Sequence, residues 1–202
     1  MRINSKHDNA ASLGVLSRDM PHGITQGEYD EMLALGILSG EDGEATRVSR
    51  VARDVIERHA MRAPSVLNEA FDYAKPASFS RGVRFDLGDK VMLLISGTAS
   101  VDEAGGTTHV GDFRAQLWRT YRNISELLAA DGATWHDIVR TTCYLRDIER
   151  DYKDFNEVRK AFFDWLGLDP LPASTGIQAR LCREDLLVEI EAIAVMPRDR
   201  GR

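Results

Sequence analysis

The chain has 202 residues, 43% hydrophobic and 29% charged, with 16 Gly and 6 Pro, which excludes a disordered, collagenous or low-complexity chain and fits one globular domain plus an appendage. Its 26 basic and 32 acidic residues give a net −6, spread evenly: residues 1–70 hold 8 Lys/Arg and 11 Asp/Glu, the rest 18 and 21. Without a basic tail, a membrane-length apolar run or a hydrophobic leader core, nucleic-acid binding by bulk charge, a membrane partner and secretion are not expected.

Residues 1–24 are polar and aperiodic and read as a loose terminus. Thr25 and Glu28 form a capping box ahead of Tyr29, Met32, Leu33 and Leu35, predicting a helix to Leu38. In residues 44–60, Val48, Val51, Ala52, Val55 and Ile56 fall on one stripe, predicting a second, amphipathic helix. Residues 1–70 therefore read as a helical N-terminal extension, and residues 71–202 as the main domain.

From Phe79 the texture changes. FSRGVRFDLGDKVMLLIS predicts two strands joined at Gly88-Asp89, the second a central strand through Val91 and Ile95. Gly105-Gly106 marks a turn. Residues 111–130 place Phe113, Leu117, Tyr121, Ile124 and Leu128 on one helical face. A Val/Thr/Cys/Tyr-rich strand follows over 138–148, then a helix over 151–166 carrying Phe155, Val158 and Phe162. Asp169-Pro170 stops it, and two more strands read over 173–182 and 186–196. The order is β-β-α-β-α-β-β, an α/β (α+β) domain. Two helices on one face of a sheet leave the other face to be covered by further copies of the chain.

Chemistry concentrates in the last two strands. Alternation over 173–182 puts Ser174, Gly176, Gln178, Arg180 and Cys182 on one polar face able to line a cleft or to meet solvent. In LLVEIEAIAVM, Glu189 and Glu191 share one face of an otherwise apolar strand. Desolvation there raises a carboxyl pKa and suits a general acid, but a period of two does not choose between them. Gly97 in ISGTAS ends a buried strand and lets a ligand approach the backbone. Cys182 has no His near it in sequence. Cys143 and Cys182 form no CxxC, which suits a reducing cytoplasm. The five histidines make no HxH or HExxH pair, so neither metal nor cofactor is expected.

Residues 79–83 (FSRGV), 93–100 (LLISGTAS), 116–148 and above all 171–195 (LPASTGIQARLCREDLLVEIEAIAV) resemble the RidA (YjgF) superfamily. The resemblance implies a chorismate-mutase-like fold, a homotrimer and ligand clefts between subunits. Typical members hydrolyse enamines or imines to ketoacids and ammonia. They use an Arg after the Pro-Ala of the final block, a Tyr near the first strand, a backbone Gly and a Glu in the last strand. By this match Glu189 is the catalytic carboxyl and Gly97 the backbone Gly, with Thr98 beside it. Phe79 and Ser174 stand where the Tyr and Arg are expected.

Other features resemble the chorismatase branch, which hydrolyses an enolpyruvyl ether: the Phe-Ser-Arg before the hairpin, SGTAS, and a Cys seven residues before the Glu, as Cys182 is here. On that reading Glu189 protonates the vinyl carbon, and Arg180, Arg81, Arg84 or Arg140 takes a carboxylate. The site expected is thus Glu189 as acid/base, with Gly97, Thr98, Phe79, Ser174, Gly176, Gln178, Arg180 and Cys182 around the substrate. A non-catalytic trimer that binds a metabolite is the remaining alternative.

Overall fold

The computed structural model describes residues 23, 25–35, 56–74 and 76–201. The chain divides into two compact units, residues 1–54 and 55–202. In the first, helix α1 spans Gln26–Ala34 and carries the expected capping box: Thr25 accepts from the Glu28 N–H, and the Glu28 carboxylate accepts from Thr25 N at 2.8 Å. It stops at Ala34, short of Leu38.

The second unit is a six-stranded sheet in the order β1-β2-β3-β6-β4-β5, formed by β1 Glu57–Ala60, β2 Gly82–Leu87, β3 Lys90–Ala99, β4 Ile138–Leu145, β5 Ala173–Gln178 and β6 Val188–Pro197. Helices α2 (Phe113–Ala130) and α3 (Ile148–Leu166) complete it. Only β4 and β5 run parallel, because α3 carries the chain from one to the other. All other neighbours are antiparallel.

The apolar stripes of the helices meet alternate residues of the central strands. Leu117, Ile124 and Leu128 of α2, with Phe155 and Val158 of α3, join Leu93, Ile190 and Ala194 in one core. The helix starts are fixed by Asp112, which accepts from Ala115 N, and Asp147, which accepts from Arg150 N. Gly167, at φ +65°, closes α3. Along β6 burial alternates strictly, so Val188, Ile190 and Ala192 enter the core while Glu189 and Glu191 face away from it.

The expected element order holds, with three corrections. Residues 57–60, read as the end of a helix, are strand β1, paired from Glu57↔Asp86 to Ala60↔Val83. The free edge of β2 offers ladder partners that a marginal 3.6-residue stripe does not overcome. Residues 44–55 of that expected helix lie outside the described residues. The boundary moves as well: Met61, Ala63 and Leu67 are buried in the same core, so the main unit begins near Val55, not at 71. Gly82 makes this possible, since a Cβ there would stand 2.6 Å from Met61 Sδ. Third, β5 ends at Gln178. Its parallel partner β4 stops at Leu145, where the chain turns into α3, so nothing remains to pair with Arg180 or Cys182. Both sit in the segment leading to β6, off the alternating face of β5.

Candidate active site

The site begins with an irregularity in the β3–β6 ladder. Pairing runs regularly to Ile95↔Ala192, then resumes at Thr98↔Ile190 and Ala99↔Glu189, so Ser96 and Gly97 form a bulge. Thr98 is buried, and its hydroxyl donates to Ser96 O at 2.9 Å. It braces the bulge and does not reach the cleft, against expectation. Ser96 Oγ donates to Ser80 O at 2.8 Å, tying the bulge to the chain entering β2. Glu189 occupies the space the bulge opens. A Cβ on Gly97 would overlap Glu189 Oε1 and stand 2.8 Å from Cδ, so the carboxyl lies against bare backbone.

A cleft of about 590 Å³ opens over this pair. Phe79, Arg81, Gly97, Cys182, Arg183 and Glu189 are among the residues that line it. The Glu189 pKa is raised, first by burial and then by the negative charge of Glu191, with Arg81 pulling the other way. Glu191, which β-strand alternation could not separate from Glu189, also reaches the cleft, but it holds a different relationship. Tyr144, the cross-strand partner of Glu189, lies beside both glutamates. Burial, followed by the neighbouring Glu191 and Glu189, raises the Tyr144 pKa. Both carboxyls line the cleft, but only Glu189 lies against the bare backbone of Gly97.

Arg81 is held firmly. Its Nε donates to Asn68 O at 3.1 Å and its Nη2 donates to the Tyr73 hydroxyl. The guanidinium lies 4.9 Å from the Tyr73 ring centroid and 5.4 Å from that of Phe79. The resemblance places the family's Tyr at position 79, a Phe here, whereas the phenol beside Arg81 is Tyr73, six residues earlier. The signal that points to it is the Gly105 turn, at φ +82°, where a Cβ would come within 2.6 Å of the Tyr73 ring. Burial raises the Tyr73 pKa, with Arg81 opposing.

Cys182 and Arg183 reach the cleft on the segment before β6, which is clamped from below. Gln116, fully buried on α2, donates to Asp185 O and accepts from Leu187 N, both at 2.8 Å. Arg146 donates to Leu186 O at 2.5 Å and to Arg183 O. Arg183 donates to Gly105 O, closing the segment against the glycine turn. Gln116, Arg146 and Arg183 carried no motif in the sequence, because a polar clamp between distant segments has no period or spacing.

The remaining expected residues do not meet in this cleft within one chain. Ser174, Gly176 and Gln178 lie on β5, an edge strand exposed along its length. Ser174 Oγ accepts from Thr141 Oγ1 and from Arg159, and Gln178 Oε1 accepts from Ile148 N at the start of α3. Gly176 lines a separate surface depression beside Ile148 and Tyr152. Arg180 is exposed beyond the strand. Of the other arginines considered, Arg84 is committed to Asp86 and Asp131, and Arg140 to Thr175. Of the four arginines named from the sequence, Arg81 is the one that reaches the cleft. No group of three potential metal-binding side chains occurs among the described residues. Nor is any described helix long and apolar enough to cross a membrane.

The result is an α+β domain: a sheet with two helices on one face and the Glu189 carboxyl seated on a glycine bulge of its central strands. Residues 72–196 match the model of the Endoribonuclease L-PSP family, and the chain belongs to that family, the RidA/YjgF group anticipated above. It is 32% identical over 146 residues to Protein DfrA of Myxococcus xanthus, covering 72% of this chain and 98% of that one. It is 32% identical over 103 residues to the 2-iminobutanoate/2-iminopropanoate deaminase of Mus musculus, covering 51% and 73%. Among solved structures, a putative translation initiation inhibitor from Vibrio vulnificus CMCP6 matches with a TM-score of 0.56 at 31% identity, over 68% of this chain and 99% of that one. The YjgF gene product of E. coli matches with a TM-score of 0.54 at 27% identity, over 68% and 98%.

Proposed function

We propose that this chain is a RidA-type deaminase that hydrolyses a small 2-imino acid, or the enamine that precedes it, to the 2-oxo acid and ammonia. The observation that carries the reading is the Glu189 carboxyl, seated against Gly97 in a cleft shared with Arg81 and Arg183, with burial and Glu191 favouring its protonated form. Protonated Glu189 donates to the imine nitrogen, or to the β-carbon of the enamine, and the two arginines favour an anionic substrate. Water adds to C2 and returns a proton to the Glu189 carboxylate. The carbinolamine then expels ammonia. The names of the mouse and Salmonella relatives support the same class of substrate.

The assembly proposed with this chemistry is a homotrimer with clefts between copies. The edge strand β5 supports it, since it is exposed along its length and lines none of its own chain's Glu189 cleft. The uncovered sheet face, with Leu94 and Val139 exposed, supports it too.

A second reading has its own support. Cys182 lines the cleft on the segment before β6, as in the chorismatase-like arrangement, and Glu189 would then protonate an enolpyruvyl ether. The test is turnover of 2-iminobutanoate, followed as 2-oxobutanoate and ammonia, beside turnover of chorismate, with wild type and Glu189→Gln. The imine is expected to turn over, with a loss of about 100-fold or more in the variant, the scale of removing a general acid. Turnover of chorismate alone would favour the second reading. Wild-type rates in Glu189→Gln would overturn both, and binding without any turnover would leave a metabolite-binding trimer.

A further inference from the structure

Two guanidiniums line the Glu189 cleft, and the groups that hold them are neutral. Arg81 is fixed by the Asn68 carbonyl, the Tyr73 hydroxyl and the rings of Tyr73 and Phe79. Arg183, half-buried, donates through Nη1 to Gly105 O and, at 3.4 Å, to Thr107 Oγ1. Among the described residues neither guanidinium forms an ion pair. Two carboxylates of the adjoining turns are engaged elsewhere: Asp102 accepts from Gly106 N at 2.7 Å, and Asp185 from the Thr107 hydroxyl at 3.0 Å. Glu191 acts on the Tyr144 side of the cleft, whereas both arginines act on Tyr73. The two cations hold different places. Arg81 stands beside the bulge that seats Glu189, since its carbonyl accepts from Ser96 N at 3.0 Å. Arg183 is tied to the Gly105 turn. A 2-imino acid with one carboxylate occupies one of these guanidiniums and leaves the other, drawn partly out of water, without a counter-charge. At about 590 Å³ the cleft is also larger than a four-carbon acid fills.

We propose that the substrate carries a second carboxylate: the cleft takes the imine of an amino dicarboxylic acid, with Arg81 on the carboxylate next to the reacting carbon and Arg183 on the distal one. The proposal rests on the deaminase reading and narrows its substrate class. Water supplies the new carbonyl oxygen, the nitrogen leaves as ammonia, and both carboxylates pass through unchanged. Ala99, Val101 and Leu186, which also line the cleft, suit the methylenes between the two anions. Arg183 is therefore a specificity-determining residue. A distal carboxylate matches its fork in one planar pair, and no lysine lines the cleft to help with the greater charge of a phosphate.

The test compares 2-iminoglutarate with 2-iminobutanoate, each generated in the assay from its amino acid by an amino-acid oxidase and followed as 2-oxo acid released above the uncatalysed rate. With the full chain, kcat/KM for 2-iminoglutarate is expected to exceed that for 2-iminobutanoate by at least about tenfold, the scale of one charge-assisted contact. Arg183→Gln is expected to bring the ratio of the two substrates to about one, whatever the absolute rates, and Arg183→Lys to restore part of it. A binding arm needs no turnover: calorimetric titration of 2-oxoglutarate against 2-oxobutanoate is expected to show the same preference in wild type and in Glu189→Gln, and its loss in Arg183→Gln. Turnover of both imines with no preference for the dianion, or a preference that survives Arg183→Gln, would overturn the proposal and leave the deaminase reading standing. Turnover of neither imine would overturn that reading instead, and the binding arm would then decide the second anchor alone: equal binding of the two oxo acids would overturn it.

Discussion

The carboxyl of Glu189 lies against the backbone of Gly97, in the volume that any side chain at position 97 would fill. Gly97→Ala therefore evicts the carboxyl and leaves the two strands otherwise intact. Turnover is expected to fall by about 100-fold, comparable to removing the acid itself. The overlap is expected to cost roughly 1–3 kcal/mol by urea unfolding, the range for overpacking. Pairing Gly97→Ala with Glu189→Ala is expected to abolish that cost, because the clashing atoms are gone. An additive double mutant would refute the contact.

The charges around Glu189 set the pH profile. Its pKa is raised by burial and by Glu191, so a step that needs the protonated acid persists above the ordinary carboxylate range and fails as pH rises through the raised value. Glu191→Gln removes a repelling charge, lowers the Glu189 pKa and is expected to move the falling limb of kcat to lower pH. Arg81→Gln removes an attracting cation and is expected to move it to higher pH. Linkage gives a companion result for stability. A carboxyl with a raised folded-state pKa stabilises the fold below its unfolded pKa and loses that contribution as pH rises. Glu189→Gln should therefore gain on wild type in denaturant midpoint between about pH 5 and pH 8.

Gln116 holds the segment that presents Cys182 and Arg183 through two bonds to its backbone. Gln116→Leu keeps the volume but leaves the Leu187 N–H and the Asp185 carbonyl without a partner. The expected cost is roughly 1–3 kcal/mol per orphaned buried group at most, read by urea unfolding. Faster hydrogen exchange confined to residues 182–187 is expected with it. Exchange unchanged there would mean that the bonds of Arg146 and Arg183 hold the segment without Gln116.

At the far edge of the sheet, Arg84 bridges Asp86 and Asp131, and its side chain and that of Asp131 are each 10% exposed. Burial raises the Asp131 pKa in spite of Arg84 and His59. Arg84→Gln leaves that charge uncompensated, at a cost of about 3 kcal/mol near pH 8. The loss is expected to shrink toward pH 5, as Asp131 protonates in the variant. Thermal unfolding at the two pH values checks it; a loss independent of pH would mean that Asp131 does not feel Arg84.

Much of the fold was legible along the chain because it rests on local rules. The capping box at Thr25, the stripes of α2 and α3, the Gly88 hairpin and the strict alternation of β6 are each written in consecutive residues. Within the site, the family resemblance singled out Glu189 and Gly97, and the structure seats one against the other. What stayed hidden is non-local. Residues 57–60 became a strand because β2 had a free edge, and β5 stopped at Gln178 because β4 had turned away. Tyr73, Gln116 and Arg183 meet the site only through the folded chain, as does the choice of Arg81 among the four candidate arginines.

The sequence by itself determined the element order, the core faces and a carboxyl in an apolar strand, since a period of two or 3.6 residues and a side chain's solvation are properties of short segments. Only the tertiary structure decided which of two glutamates lies against Gly97, which arginines reach the cleft, and that β5 lies away from its own chain's site. Those outcomes depend on strand register and on hydrogen bonds between segments tens of residues apart, and no local pattern encodes either.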